Sequence, residues 1–164
     1  MALLGRVDSS WGQDVYSVKG PWLDEQSRTF DLETLRNSHA VITMAYGSCR
    51  RVCSTSLRVV EQLAERAKQR HIALTLVVVG LDPAHDKPSD WATLRAERGL
   101  TDGNISFLSG SEASTRQLAQ RIGVKYWRYD GHVMHDFRIV LVSPQGKVVR
   151  SIDRFDDDIN ALLP

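Results

Sequence analysis

Residues 40–53 read AVITMAYGSCRRVC, and this stretch predicts a buried strand that leads directly into a helix. The segment Val41 to Tyr46 is apolar and partly β-branched, which is typical of a central strand covered on both faces. Cys49 and Cys53, the only two cysteines of the chain, then lie at the strand-to-helix junction. With Cys53 in the first turn of the helix, the spacing of four residues places both side chains on one helical face, about one turn apart.

The surroundings of the two cysteines favour reactivity. Backbone amides at a helix N-terminus carry partial positive charge, and Arg50 and Arg51 add two full charges, so thiolates are favoured over thiols. Helical positions four apart have Cα atoms roughly 6 Å from each other, which also permits a disulfide. A chain of 164 residues can bury a hydrophobic core without a covalent staple. We therefore interpret the pair as a reactive dithiol, a metal site or both, rather than as a structural disulfide or two buried thiols.

The segments after the cysteines complete a strand–helix–strand unit. Apolar residues recur at helical spacing between residues 57 and 67, with charged residues among them, which predicts an amphipathic helix. Ile72 to Leu81 predicts a second buried strand. Because a strand, a helix and a strand of this length form a right-handed βαβ unit, we expect the two strands to be parallel.

The rest of the chain adds helices and an antiparallel hairpin. Helices are predicted at 88–98, 112–122 and 156–163, and strands at 105–108, 137–142 and 147–152. Ser111 is the expected N-cap and Gly123 the expected stop of the second of these helices. The last two strands flank the turn Ser143-Pro144-Gln145-Gly146. The order predicts an α/β, thioredoxin-like fold, with a central mixed β-sheet flanked by helices and a C-terminal β-hairpin. In open α/β sheets the site lies beyond the carboxyl ends of the parallel strands, where Cys49 and Cys53 are expected.

Composition and charge limit the kinds of partner that the chain is expected to bind. The chain has 21 Lys and Arg against 20 Asp and Glu, a net charge of +1, and no long single-sign run, so no nucleic-acid partner is expected. Ile72 to Leu81 is too short to cross a bilayer, and Met1 to Val7 lacks the apolar region of a signal peptide. We expect one soluble domain, residues 1–164 with an N-terminal extension at about 1–21, that contacts a membrane only through an anchor absent from this chain.

Histidines decide which metal the cysteine pair can hold. Two thiolates suit a soft metal such as Cu(I), and a neutral imidazole would complete a three-coordinate site that Cu(II) also accepts. His39 and His71 precede the two central strands, so both belong at the opposite end of the sheet. His135 precedes a late strand and cannot share a strand face of period two with His132. His132 and Met134 are further soft donors, but here we expect a solvent-facing histidine and a core methionine.

Four stretches of the chain, in this order, resemble motifs of the SCO/SenC family. They are Tyr46-Gly47-Ser48-Cys49 through Cys53, Asp82-Pro83-Ala84-His85-Asp86, Phe107-Leu108-Ser109-Gly110, and His135 before Ser143-Pro144-Gln145-Gly146. The resemblance runs from Trp22 to Ile152 and rests on the combination rather than on one motif. Family members commonly carry Pro after each cysteine, whereas this chain has Arg50 and Ser54. The change removes a backbone constraint and restores an amide donor, so we expect the loop shape and redox potential to differ.

Members of that family are thioredoxin-fold copper-binding proteins of bacterial periplasms and of the mitochondrial intermembrane space, and they assist cytochrome oxidase assembly. The resemblance implies that Cys49, Cys53 and His135 hold Cu(I) or Cu(II), and that the protein delivers copper to a recipient such as a cytochrome c oxidase subunit. It implies that Asp82 supports the site or contacts a partner, although turn chemistry explains this residue equally well. It also implies a periplasmic protein that is membrane-anchored in its full-length precursor.

The main alternative is an enzyme, a thiol–disulfide oxidoreductase with Cys49 and Cys53 as its catalytic redox pair. One cysteine would attack a disulfide of a partner protein and the other would resolve the mixed disulfide. Against it, the usual thioredoxin spacing has two intervening residues, and residues 133–135 replace the usual cis-proline loop. A peroxidase is disfavoured because Pro-x-x-x-Thr-x-x-Cys is missing, and an interaction domain with a vestigial metal site is the last alternative. We expect a copper carrier rather than an enzyme.

Overall fold

The computed structural model of the chain describes residues 13–47 and 52–164, and for residues 52–54 it describes the backbone alone. Several residues that the sequence predicts to form or surround the metal site lie outside the described residues: Cys49, Arg50 and Arg51. Most of the predicted N-terminal extension, residues 1–12, lies outside them as well.

Nine strands and three α-helices follow one another in the described ranges. They are β1 (Trp22–Leu23), β2 (Thr29–Phe30), β3 (His39–Ala45), α1 (Val52–Gln69), β4 (Leu74–Gly80), α2 (Pro88–Glu97), β5 (Ile105–Leu108), α3 (Glu112–Ile122), β6 (Tyr126–Tyr129), β7 (His132–His135), β8 (Ile139–Val142) and β9 (Val148–Ile152). Short 3-10 helices occupy Val15–Ser17, Leu32–Asn37 and Ile159–Leu162. The predicted strands β3, β4 and β5, the helices α1 to α3 and the C-terminal hairpin are confirmed in kind and in order. The predicted short helix at 156–163 is present but shorter, as a 3-10 helix at Ile159–Leu162 that Asp158 caps.

The central sheet has five strands in the order β5-β4-β3-β8-β9. β3 pairs with β4 and β4 pairs with β5 in parallel, whereas β8 and β9 are antiparallel to their neighbours. The predicted parallel βαβ unit and the mixed sheet are therefore confirmed. Ala45 and Gly80 are register partners at the carboxyl ends of β3 and β4, so the loops that follow these two strands leave the sheet at the same edge. That edge positions the candidate site.

Both faces of the central strands are covered. In β3 every residue from Ala40 to Ala45 is buried, which explains why the sequence shows a continuous apolar run there rather than alternation. Helix α1 covers the sheet with the stripe predicted from helical spacing, and its members are all buried: Leu57, Val60, Leu63, Ala64 and Ala67. The helix that carries Cys53 is therefore fixed against the sheet by its own apolar face.

The antiparallel pair β6 and β7 is a hairpin that our sequence interpretation missed. Its strands pair with each other and not with the central sheet. Asp130 and Gly131 form the turn with φ angles of 49° and 73°, the conformation that a two-residue type I′ turn requires. An Asp-Gly dipeptide is a strong hairpin signal, so the sequence did contain the clue. The flanking strand residues are mostly exposed, so the hydrophobic pattern does not predict the two strands.

The described part of the predicted N-terminal extension packs onto the domain. Val15 and Tyr16 are fully buried, and the Asp14 carboxylate caps their short 3-10 helix by accepting a hydrogen bond from the Tyr16 amide. Arg121 of α3 donates a hydrogen bond to the Asp14 carbonyl. The assignment of residues 1–164 to one domain stays a prediction. Within the described ranges, no helix combines the length and the apolar character that a membrane span needs.

Candidate metal centre

The segment with the two cysteines lies between β3 and α1. β3 ends at Ala45, and α1 begins at Val52, so the backbone of Cys53 lies in the first turn of the helix. The first amides of an α-helix have no partner within the helix and carry partial positive charge, which favours a thiolate there. Cys49 lies outside the described residues and only the backbone of Cys53 is described, so the arrangement of the two sulfur atoms stays a prediction.

His135, from a late strand of the chain, lies next to the start of this segment. It is the last residue of β7, and its imidazole packs edge-to-face on the ring of Tyr46, with 5.9 Å between the ring centroids and 84° between the planes. Tyr46 directly follows β3 and stands three residues before Cys49. Although 89 positions separate them in sequence, the fold therefore brings His135 to the start of the cysteine segment.

The protonation state of His135 suits metal binding. Its Nδ1 lies 2.9 Å from the Asp136 carbonyl oxygen. Because a carbonyl can only accept, Nδ1 carries the hydrogen and the Nε2 atom of the neutral ring carries the lone pair. Burial lowers the pKa of His135 below its usual value of 6.5, against the opposing effect of the Asp136 carbonyl and carboxylate. The imidazole is therefore neutral at pH 7, and Nε2 is the atom that can donate a lone pair to a metal.

Asp86 fixes the start of the cysteine segment from the loop after β4. This residue is 3% exposed, and its carboxylate accepts hydrogen bonds from two backbone amides, Gly47 N at 2.7 Å and Asp82 N at 2.9 Å. Its carbonyl accepts a hydrogen bond from the Ser109 hydroxyl at 2.7 Å. The carboxylate therefore ties the residue that precedes Ser48 and Cys49 to the edge of the central sheet. Local sequence gives no sign of this role, because the amide partner Gly47 is 39 positions away.

Burial raises the pKa of Asp86 to about 6. The two amide hydrogen bonds favour the charged form and oppose this effect, whereas the nearby Asp82 and Asp90 carboxylates add to it. Since no basic side chain is bonded to this carboxylate among its described contacts, desolvation prevails. Asp86 therefore changes its charge within the range of mildly acidic pH.

Asp82 has the opposite environment although it lies four residues away. Its carboxylate accepts hydrogen bonds from Arg128 Nη2 at 3.0 Å and from His85 Nδ1 at 2.8 Å. Burial alone would raise the pKa of Asp82, but the hydrogen bonds and charges of Arg128 and His85 outweigh burial and lower it. Arg128 belongs to β6, and its Nη2 atom also lies 3.7 Å from Oε1 of Glu112 in α3. Asp82 therefore joins the loop after β4 to the β6–β7 hairpin.

Three other histidines and Met134 lie at the opposite end of the sheet or at exposed positions of β7. His39 begins β3 and His71 precedes β4, which confirms their predicted position at the opposite end of the sheet. His132 is exposed, as expected. The prediction of a core Met134 is wrong, because 42% of this residue is exposed and its neighbour Val133 takes the buried position instead. Among residues 13–47 and the described side chains after residue 54, no three His, Cys, Asp or Glu side chains form a metal-binding group.

Three known proteins illustrate what the chain resembles. A Stutzerimonas stutzeri protein named "Putative copper-binding protein" is 24% identical over 135 residues, which are 77% of this chain and 63% of that protein. The "SCO2-like protein RP587" of Rickettsia prowazekii is 28% identical over 118 residues, which are 71% of this chain and 56% of that protein. The chain thus spans less than two thirds of the length of these curated relatives. The solved structure of Arabidopsis thaliana ScoI with copper bound has a TM-score of 0.74 at 16% identity, covering 86% of this chain and 89% of that one, which shows a shared fold.

The family comparison covers nearly all of the described chain. The SCO1/SenC family model matches residues 15–163, from the first buried residues of the N-terminal 3-10 helix to the end of the last one. The match includes the cysteine segment, the loop after β4 and the β6–β7 hairpin. The chain belongs to the SCO1/SenC family.

Proposed function

We propose that this protein binds one copper ion on Cys49, Cys53 and His135 and delivers it to a copper centre, that of cytochrome c oxidase. One observation carries the proposal: the edge-to-face contact between His135 and Tyr46 brings a neutral imidazole to the segment that bears both cysteines. Cys53 adds a second reason, since its backbone lies in the first turn of α1, where a thiolate is favoured. Copper is the cargo of this protein rather than part of its fold.

The donor atoms suit copper better than other common metals. Thiolate sulfur and imidazole nitrogen select soft and borderline metals, and copper stands at the top of the affinity order of the divalent first-row ions. Three such donors satisfy Cu(I) and also accept Cu(II). The printed names of the Stutzerimonas and Arabidopsis proteins point to the same metal. The Asp136 carbonyl supports the site, because it holds the tautomer in which Nε2 is the donor atom.

Delivery requires that copper leave as readily as it enters. Ligand exchange does this, since a recipient thiolate or imidazole can replace one protein ligand at a time while copper remains coordinated. Loading requires the reduced dithiol. If an oxidant removes two electrons and the two thiol protons are released, a Cys49–Cys53 disulfide forms and two of the three ligands are lost. The proposed site of action is the periplasm, with the chain anchored to the membrane in its full-length precursor.

The test is an anaerobic copper titration of the reduced protein. The parent is compared with Cys49→Ser, Cys53→Ser and His135→Ala, by the stoichiometry of tightly bound copper and, for Cu(II), by thiolate-to-copper absorption. His39→Ala is the matched control, because His39 lies at the opposite end of β3. We expect one tightly bound copper in the parent and in the control, and loss of tight binding or of the absorption band in each of the three ligand variants.

Two results would reject the copper proposal. One is a parent that binds no copper tightly, and the other is a site indifferent to His135→Ala. Disulfide exchange with a partner protein would then become the leading function. Reduced protein would be incubated with a disulfide-bonded substrate, and Cys49→Ser and Cys53→Ser would be examined for a trapped mixed disulfide.

A further inference from the structure

The outer face of the β6–β7 hairpin carries four side chains that the fold leaves in solvent. The antiparallel register pairs Trp127 with Met134 and Tyr129 with His132, so these four residues lie on one face of the hairpin. Trp127 is 51% exposed, Tyr129 70% and Met134 42%, and His132 is exposed as well. The opposite face holds Val133, which is buried. We refer to the four residues Trp127, Tyr129, His132 and Met134 as the outer face.

The outer face combines soft metal donors with aromatic rings. Methionine thioether and imidazole nitrogen are both ligands that Cu(I) prefers, and Cu(I) needs only two or three of them. Tyr129 and Trp127 supply π-systems, and no residue of the outer face has a carboxylate. Hard cations such as Mg²⁺ and Ca²⁺ therefore find no suitable ligand among the four side chains.

The strand geometry allows the two donors to converge. His132 and Met134 are two positions apart on β7, which separates their Cα atoms by roughly 7 Å on the same face. A metal with one nitrogen and one sulfur ligand holds them about 4 Å apart, judged from metal–nitrogen and metal–sulfur bonds of about 2.0 and 2.3 Å. Both side chains are long enough to close this gap. Trp127 stands directly opposite Met134, where its ring face can contribute a cation–π contact.

We propose that His132 and Met134, with Trp127 across the hairpin, form an auxiliary Cu(I) site that is separate from the thiolate site. Because His135 follows Met134 on the same strand, the auxiliary site lies on the other face of the element that carries the proposed imidazole ligand. Copper would pass between the two faces by ligand exchange, with no change in oxidation state. The transfer role rests on the proposed function, whereas Cu(I) binding by the outer face does not.

The experiment uses the full chain with both thiolates removed, Cys49→Ser together with Cys53→Ser. Cu(I) is titrated anaerobically in competition with a chromogenic Cu(I) chelator while tryptophan emission is recorded. Trp22 and Trp91 are each 1% exposed, and Trp11 lies outside the described residues, so a matching Trp127→Phe variant assigns the optical signal. We expect one weakly bound Cu(I) and quenching of the tryptophan emission, with the quenching absent in Trp127→Phe.

Single variants in the same thiol-free background identify the ligands. His132→Gln and Met134→Leu should each weaken Cu(I) binding at least about tenfold, and His39→Gln should leave it unchanged. Because all three substituted side chains of the outer face are exposed, the variants should keep the fold, which circular dichroism checks. A thiol-free protein that binds no Cu(I), or Cu(I) binding that survives both His132→Gln and Met134→Leu, would overturn the auxiliary site.

The two proposals fail in distinguishable ways. If the parent shows the Cu(II)–thiolate band but the thiol-free protein binds no Cu(I), the outer face has no copper role and the thiolate site stands. If the thiol-free protein binds Cu(I) through His132 and Met134 and the parent binds copper no more tightly than the thiol-free protein does, the proposed function fails and the auxiliary site stands. An outer face that binds no Cu(I) would leave a docking surface for another protein as the remaining explanation of its exposed rings.

Discussion

The loop after β4 and the β6–β7 hairpin both flank the cysteine segment, but the protein holds them in different ways. The loop contains two buried carboxylates, Asp82 and Asp86, whose oxygens are engaged by backbone amides and basic side chains. The hairpin pairs only with itself, and most of its side chains are exposed. The buried Val133, the partly buried Tyr126 and His135, and the Arg128–Asp82 ion pair join it to the rest of the domain.

We refer to the loop after β4 as the fixed wall of the candidate site and to the β6–β7 hairpin as its adjustable wall. A change in the loop after β4 alters packed groups and should act on the stability of the whole domain. A change on the exposed part of the hairpin should act on ligands and charges while the domain remains folded.

Gly80→Ala should produce the largest loss of stability. A Cβ atom at this position would lie 2.8 Å from Asp86 Cβ, closer than Cβ atoms approach other atoms in folded proteins, and 3.2 Å from Trp91 Cζ2, which is tighter than most such contacts. Since Asp86 is itself held by hydrogen bonds on both carboxylate oxygens, it cannot move aside freely. We expect a loss of roughly 1–3 kcal/mol in the free energy of unfolding, measured by urea denaturation.

Gly103→Ala is the matched control for this change. A Cβ atom at Gly103 meets nothing within 4 Å, so the substitution should be neutral or slightly stabilising. If both alanine variants were equally stable, the loop after β4 would yield as easily as a surface loop. The distinction between a fixed and an adjustable wall would then be lost.

Asp86→Asn should change how stability depends on pH. Between pH 3.8 and about 6 the folded protein still holds the Asp86 proton, because its pKa is raised to about 6, whereas the unfolded chain has released it. Folding then takes up a proton, so this carboxyl makes the free energy of unfolding fall as pH rises through that window. The slope is at most about 1.4 kcal/mol per pH unit. Asparagine cannot titrate, and its variant should lack this decline in urea denaturation at pH 4.5–6.5.

Asp82 provides a comparison, because its pKa is shifted in the opposite direction. Its pKa is lowered, so its contribution to stability is complete above pH 3.8 and is lost as pH falls through the lower, folded value. Asp82 therefore adds no slope between pH 4.5 and 6.5. Asp156→Asn serves as the control, because Asp156 is an exposed carboxylate beside Arg154. A parent and an Asp86→Asn variant with identical pH profiles would contradict the raised pKa.

Val133→Ala and Met134→Ala test the hairpin on its two faces. Val133 is 3% exposed, and removing its two methyl groups should cost roughly 1–2 kcal/mol of unfolding free energy through lost burial and a small cavity. Met134 follows it in sequence but is 42% exposed, so its replacement should stay within about 0.5 kcal/mol of the parent. Equal losses for the two variants would mean that the outer face is covered in solution.

Patterns in the sequence predicted the parts of the fold that depend on local structure and burial. Helix α3 begins and ends where predicted, because the Ser111 hydroxyl caps the Ser114 amide and Gly123 adopts a φ of 78° that other residues avoid. Strands β3 and β4 were recognisable because burial on both faces leaves a continuous apolar run. The same signals placed the cysteines at a strand-to-helix junction, which the start of α1 at Val52 agrees with.

Other features could not be predicted because they depend on contacts distant in sequence. Nothing near Asp86 reveals that its carboxylate accepts a hydrogen bond from Gly47, or that desolvation prevails over its amide partners. Alternation in β7 shows that Val133 and Met134 face opposite sides, but it does not show which side meets the core. Our sequence interpretation chose Met134 for the core, and the structure has Val133 there. The role of Cys49, Cys53 and His135 as ligands stays a prediction.

Arg128→Gln removes the cation that links the hairpin to the loop after β4, and it should change stability only slightly. The guanidinium is more than half exposed, so solvent already screens much of its attraction to Asp82. The main result should be a rise in the pKa of Asp82, measured by carboxyl NMR titration, since hydrogen bonding from Arg128 is the leading influence that lowers it. Arg154→Gln is the control, because its partner Asp156 is a different, exposed carboxylate. An unchanged Asp82 titration would show that the hairpin and the loop after β4 are electrostatically independent in solution.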